Sequence, residues 1–378
     1  MTLPLRDVYA EPTLADVMPS VLASTGVPGE RNRLGLTDSA NTVVLLVDGM
    51  GWELLQRNKK AAPFLTGLPG CPIRAGFPTT TAASIASLGT GLPSGRHGIT
   101  GYQSYVEEAG TTVNWLNWTA AGTSHDQRET LVPEHVQPRR TAFERGHDAG
   151  LTVTTVLPRA FDRSGLTRAV LRGGRFVGVS AYGDLLAEVV AAARSGERNL
   201  VYCYLSEVDT LGHVYGPESQ AWLAQLTVVD RFVEQLAAAL PDGTRLLITA
   251  DHGMVDASRG RRVDFDGHSG LEEDVDVIAG EPRCRHIHTG RVDKVLGRWT
   301  DELGDEFWVG TRDEVLSAGL FGPDPDSAFA GRIGDIVVIA RGESTVLRRH
   351  GERTLSNLPG QHGALTDEEL LVPLLQLR

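Results

Sequence analysis

The sequence predicts an α/β fold, a mostly parallel central sheet covered by helices on both faces and carrying a smaller inserted cap. Three observations lead there. Continuous apolar, β-branched runs recur along the chain, the pattern of strands buried on both sides. Helical apolar spacing separates several of them, which favours parallel pairing. The 378 residues, 41% hydrophobic, suffice for one large core. The reading is a single domain over 1–378, with residues 255–345 as an insertion or cap.

The clearest strand is TVVLLV at 42–47. Similar runs follow at 151–156 (LTVTTV), 200–205 (LVYCYL), 244–249 (TRLLIT) and 335–340 (DIVVIA). A helix is predicted over 219–240, where Trp222, Leu226, Val229, Leu236 and Leu240 recur at helical spacing, and another over 183–194. The stretch 255–345 breaks this rhythm; it is rich in Gly, Asp and Arg, with a short helical segment around 312–319.

Composition excludes several functions. A formal charge of −12 argues against a nonspecific binder of nucleic-acid polymers, whose footprint is basic. Any phosphate ligand would then have to be attracted locally, as metal ions in an acidic cluster would do. The start of the chain, MTLPLRDVYAEPTLADVMPSVLAS, lacks the pattern of a secretory leader, and no run of eighteen apolar residues predicts a membrane span. Cys71, Cys203 and Cys284 form no CxxC and read as buried reduced thiols of a cytoplasmic protein. No obligate protein partner is evident. The only lysines are Lys59, Lys60 and Lys294 among many arginines, a composition typical of a high-GC genome.

The chemistry-bearing residues lie where apolar runs meet turns. LLVDGMG puts Asp48 just after a strand, at the edge where open α/β sheets bind ligands. Alone it reads equally as a turn-forming or helix-capping aspartate. In TADHGM, Asp251 and His252 likewise follow a strand and offer two different ligands to one cation. In SEVDTLGHVYG, Asp209 and His213 are four apart, so a helical turn puts them on one face. FPTTTAASIASLGTG places Thr79, Thr80 and Thr81 at a turn before a small-residue helix. A hydroxyl there sits among free N–H groups that favour phosphate, although an N-cap threonine is the bland alternative. His362 sits in LPGQHGALTDEELLVPLL, ahead of a helix that could start near Thr366, which with Glu369 resembles a capping box. Three carboxylates, three imidazoles and one hydroxyl suit two divalent cations and a nucleophile.

In motif order from about residue 40 onward, the chain resembles the nucleotide pyrophosphatase/phosphodiesterase family of the alkaline phosphatase superfamily. The resemblance implies an alkaline-phosphatase-like fold and two metal ions, Mn²⁺ or Zn²⁺. One would be held by Asp209, His213 and His362, the other by Asp48, Thr81, Asp251 and His252. The family block FPTKTFPN aligns with FPTTTAAS, which makes Thr81 the nucleophile. The family lysine is Thr80 here, the following aromatic is Ala82, and a phosphoryl-contacting asparagine corresponds to Tyr102. The oxyanion contact is then expected from Tyr102 itself, from a backbone N–H, or from a group elsewhere in the chain. Tyr204 and Trp115 or Trp118 are the candidate base-stacking surfaces, with core packing as the alternative. CPIR at Cys71 falls one residue short of the sulfatase C-x-P-x-R, and no serine stands at the nucleophile position.

The resemblance implies a two-step displacement through a phosphothreonine on a small-molecule nucleotide. Among similar soluble chains are actinobacterial cyclic di-AMP phosphodiesterases, which would make the reaction cyclic di-AMP to pApA and AMP. A general nucleotide pyrophosphatase is the alternative, a phosphonate or phosphomonoester hydrolase comes third, and a non-enzymatic nucleotide sensor would keep the fold without turnover.

Overall fold

The computed structural model describes residues 8–377; residues 1–7 of the stretch read for a leader lie outside the described residues. Seven strands form the main sheet: β1 (Asn41–Val47), β2 (Gly70–Arg74), β3 (Thr152–Pro158), β4 (Arg175–Val179), β5 (Asn199–Leu205), β6 (Thr244–Thr249) and, after a second sheet, β11 (Leu371–Leu377), in the order β2–β11–β6–β1–β5–β3–β4. The pairs β1–β5, β1–β6, β3–β5 and β3–β4 are parallel, and β11 runs against β2 and β6. All seven residues of β5 and all six of β6 are buried. This is why these strands read as unbroken apolar runs rather than as alternations.

Helices pack around this sheet. The small-residue helix α1 (Thr81–Thr90) is buried along its whole length, which its Ala, Ser and Gly content permits. The helices α2 (Tyr182–Ala192) and α4 (Gln220–Ala239) match the two predicted spans within a residue or two at each end. Between β5 and α4 lies α3 (Glu207–Tyr215). Among the described residues no helix is long and apolar enough to cross a membrane.

The second sheet is antiparallel and built from β7 (Val277–Glu281), β8 (Cys284–His288), β9 (Phe307–Thr311) and β10 (Ile336–Ala340), in the order β7–β8–β10–β9. Together with α5 (Val292–Leu303) it closes its own core around Trp299, Leu303, Ile287 and Val337. Phe77 and Ala364, on loops of the main body, belong to that same core.

Three expectations need correction. The run at 335–340, grouped with the parallel strands, belongs to the antiparallel sheet; unbroken hydrophobicity reports burial on both faces and carries no information on direction. The helix near Thr366 does start there, with Thr366 as N-cap, and runs one turn (Asp367–Leu370) before β11 begins; it is the capping box that fails, because the Glu369 carboxylate is drawn into an ion pair with buried Arg283. Cys71 is exposed on β2, whereas Cys203 and Cys284 are buried; all three are free thiols.

Candidate active site

Three carboxylates converge from three adjacent strands. Asp48 follows β1, Asp251 lies two residues past β6, and Asp209 sits in the first turn of α3, just beyond β5. Register aligns these ends: Val47 pairs with Leu205, and Leu46 with Thr249. The carboxyl edge of an open parallel sheet is where such folds form ligand crevices. Gly49 allows the approach. Its φ of +70° suits glycine, and a Cβ there would lie 2.8 Å from the Asp209 Cα. Its N–H donates to Asp251 Oδ1 at 3.1 Å, tying the first turn to the third.

The three imidazoles share one orientation. Nδ1 of His213 meets the Gly360 carbonyl at 2.8 Å, that of His252 meets Gly253 at 2.9 Å, and that of His362 meets Thr79 at 2.9 Å. A carbonyl only accepts, so each Nδ1 carries the proton and each Nε2 keeps a lone pair. Those lone pairs point into one space. Nε2 of His213 and Nε2 of His362 are 3.2 Å apart, and the His362 ring stacks on His252 at 3.6 Å and 17°.

The carboxylates complete the set. Asp48 Oδ1, Asp209 Oδ1 and Asp251 Oδ2 are buried without any hydrogen-bond partner. Asp48 Oδ1 and Asp251 Oδ2 lie 3.4 and 3.5 Å from His252 Nε2, and Asp209 Oδ1 lies 3.4 Å from His213 Nε2. Burial pushes the Asp48 carboxyl well above the usual range, with Asp251 and Asp209 adding repulsion; burial also raises Asp209. Burial, and then the imidazoles of His252 and His213, push His362 well below its ordinary value. Buried donors and acceptors are otherwise almost always satisfied. Bare oxygens and nitrogens facing one another fit divalent cations. Two groups bring their ligand atoms within 4.8 Å of one another, Asp48 with Asp251 and His252, and Asp209 with His252 and His362.

Thr81 opens α1, and Thr80, not Thr81, is the N-cap, so the Thr81 side chain has no capping duty. Its hydroxyl lies 3.0 Å from His252 Nε2, to which it donates. The preceding residue pair is held firmly. Thr79 donates its hydroxyl to the Ala364 carbonyl (2.8 Å), accepts the Gly363 N–H (3.1 Å) and offers its own carbonyl to His362. The Thr79–Thr81 turn and the His362 loop are thus one unit.

A cavity of about 250 Å³ opens beside Thr81 and Asp48. Leu116, Leu157 and Leu166 give it apolar walls, Asn117 and Thr167 give it polar points, and Phe161 and Tyr204 meet at its edge with ring centroids 5.9 Å apart. Tyr204 lines the cavity and donates its hydroxyl to Asp48 Oδ2. Trp115 does not: it is fully buried, with Nε1 donating to Ser104, so its ring has no free face for a base. Trp118 is equally buried and donates to the Leu131 carbonyl. Tyr102 is turned to Asn114, whose amide donates to its hydroxyl at 2.7 Å, and it lies outside the cavity lining. Asn114 Oδ1 in turn accepts the N–H groups of Leu116 and Asn117, which sets the loop that lines the cavity.

Phe161 and Asn117 escaped the sequence reading. Phe161 could have been found, because it follows β3 at the same carboxyl edge as Asp48. Asn117 could not, hidden between two tryptophans that drew attention as the aromatic candidates.

A sequence profile described as type I phosphodiesterase / nucleotide pyrophosphatase matches residues 42–365. The chain belongs to that family. Mouse ectonucleotide pyrophosphatase/phosphodiesterase family member 7 is 41% identical over 66 residues, 16% of this chain and 15% of that one, so the chain spans only a small part of the length of that curated relative. Among solved structures, an inactive form of murine ectonucleotide pyrophosphatase/phosphodiesterase 5 in complex with AMP superposes with a TM-score of 0.68 at 16% identity, covering 88% of this chain and 87% of its own. Phosphonoacetate hydrolase from Sinorhizobium meliloti 1021, in complex with phosphonoformate, gives 0.66 at 19% identity and 89% of both chains. At those identities the likeness establishes the phosphodiesterase family's fold.

Proposed function

We propose that this chain hydrolyses a nucleotide phosphodiester or pyrophosphate with Thr81 as the nucleophile. The observation that carries the reading is the ring of unpartnered carboxylate oxygens and bare Nε2 atoms around the Thr81 hydroxyl. Two divalent cations, one on Asp48, Thr81, Asp251 and His252 and one on Asp209, His213 and His362, would supply positive charge to the reacting phosphoryl group and favour the ionised hydroxyl. The Thr81 Oγ1–phosphorus bond forms as the bond to the leaving oxygen breaks. Water then attacks the phosphothreonine, and the Thr81 oxygen leaves with a proton. Free N–H groups in the first turn of α1 favour the phosphoryl oxygens, and Asn117, the one carboxamide lining the cavity among the described residues, takes the part expected of Tyr102. The nucleoside occupies the cavity against Phe161 and Tyr204.

Cyclic di-AMP, opened to pApA and then to AMP, is the first substrate to test, with general nucleotide pyrophosphatase activity as the second reading. The murine relative binds AMP, which supports a nucleoside in the cavity of this chain and favours neither diester. A product assay against cyclic dinucleotides, dinucleoside polyphosphates and nucleotide sugars, each with Mn²⁺ and with Zn²⁺, separates them. Bound metal without turnover of any member, or of bis(p-nitrophenyl) phosphate, would point to a sensor instead.

A further inference from the structure

We propose that the ion pair of Arg283 and Glu369 is a positioning device for the metal-binding loops, joining the second sheet to the two backbone segments that carry His252 and His362. This rests on the metal-dependent reading above. Both residues are buried, and their side chains have no exposed surface. Arg283 stands in the turn between β7 and β8; Glu369 lies in the single helical turn before β11.

Every acceptor of Glu369 is engaged. Oε1 accepts Arg283 Nε at 2.7 Å and the Ala364 N–H at 3.0 Å; Oε2 accepts Arg283 Nη2 and the Thr366 hydroxyl, both at 2.7 Å. Its backbone carbonyl accepts the Gly253 N–H at 2.9 Å. One residue thus grips Ala364, two positions past His362, and Gly253, next to His252. On the other side Arg283 Nη1 donates to the Ser344 carbonyl at 2.8 Å, and the Arg283 carbonyl accepts the Ala340 N–H at 2.9 Å, which anchors the pair to β10.

The same hairpin touches the site a second time. Glu281, at the end of β7, is buried with its Oε2 4.0 Å from His362 Nδ1. The spacing leaves no slack. A Cβ on Gly253 would fall 1.9 Å from the Glu368 carbonyl oxygen, and one on Gly363 would fall 2.8 Å from Glu281 Cγ. A buried bidentate pair with all its partners filled fixes direction as well as distance. A hydrophobic contact would hold the sheets together without fixing where His252 and His362 point.

The test compares metal binding with folding. Arg283→Lys keeps the charge but not the fork, and the double variant Arg283→Met/Glu369→Leu replaces the pair with apolar groups. Ile287→Val, in the core of the second sheet on β8 where it pairs with β7 and β10, is the control. Each is stripped with chelator, its unfolding by urea is followed, and Mn²⁺ and Zn²⁺ are titrated by calorimetry into the folded protein. The expected result is a fall of about 10- to 100-fold in metal affinity for Arg283→Lys and the double variant. Ile287→Val should bind like the parent even where its urea midpoint drops as far. Parent-like affinity in Arg283→Lys, or equal loss in the control, overturns the inference while leaving the metal site standing. A parent that binds neither metal overturns the metal reading, and this inference with it. Should the double variant not fold, Arg283→Lys against Ile287→Val decides alone.

Discussion

The Nε2 atoms of His213 and His362 face each other at 3.2 Å, each with its proton committed to a backbone carbonyl through Nδ1. Two lone pairs at that distance repel unless a cation lies against both. Asp209 Oδ1, 3.4 Å from one and 3.8 Å from the other, completes a three-atom claw. His213→Ala should therefore reduce bound metal from two equivalents to one, read by elemental analysis after dialysis, without unfolding the chain. In the parent, each metal at 100 times its Kd should add about 2.7 kcal/mol of stability, a shift that chelator reverses. Two retained equivalents in His213→Ala would remove that residue from the ligand set.

Thr81→Ser should keep measurable turnover and Thr81→Ala should lose at least about a thousandfold, a reasonable scale for removing a nucleophile from an otherwise intact site. The contrast matters because Thr81 is the first residue of α1 and not its cap, so neither change removes a helix-capping bond. Metal content should stay near the parent's, since the other six candidate ligands remain. Turnover of Thr81→Ala at the parent's rate would transfer the nucleophile's role to water.

How much of this was legible in the sequence follows from what each signal measures. Strands β1, β3, β5 and β6 could be read because burial on both faces leaves an unbroken apolar record. The convergence of Asp48, Asp209 and Asp251 was legible because each follows such a strand. Strand β2 (GCPIR) was missed because it is an edge strand with mostly exposed residues, and β11 because its acidic first neighbours looked helical. The partner choices were hidden as well. Nothing local in TDEEL says that Glu369 reaches Arg283, 86 residues earlier in the chain. Trp115 and Trp118 were ambiguous for a similar reason, since ring chemistry alone cannot tell a stacking platform from a core residue, and here their N–H groups find partners inside.

Phe161 is the aromatic that the cavity exposes, at 37%, with its ring against Tyr204. Base–aromatic stacking is worth about 1–3 kcal/mol per base, so Phe161→Ala should raise KM for a nucleotide substrate roughly ten- to a hundredfold. kcat should change much less, and a small diester without a base should be nearly unaffected. Trp115→Leu is the counterpart: it should lower the melting temperature through core loss and leave KM alone. A nucleotide KM untouched by Phe161→Ala would place the nucleoside outside this cavity.

In the metal-free protein, histidines outside the candidate ligand set should make stability sensitive to acid. Burial holds His286 at about 3, with His288 and Arg312 adding repulsion, against an ordinary 6.5, and His97 is held at about 3 by burial as well. The sign follows from proton counts. Between pH 6.5 and 3 the unfolded chain binds a proton that folded His286 refuses, so stability falls as pH drops through that window and is flat above it. Each such group contributes a slope of about 1.4 kcal/mol per pH unit. Asp48 and Asp209, raised by burial, act in the opposite sense, because their folded forms hold protons that the unfolded chain has released. The difference between parent and His286→Leu cancels them. Urea unfolding in chelator at pH 4.5, 5.5 and 7.5 should show the variant losing less stability on acidification by about one proton's slope. Equal losses in the two proteins would mean that His286 is protonated inside the folded sheet.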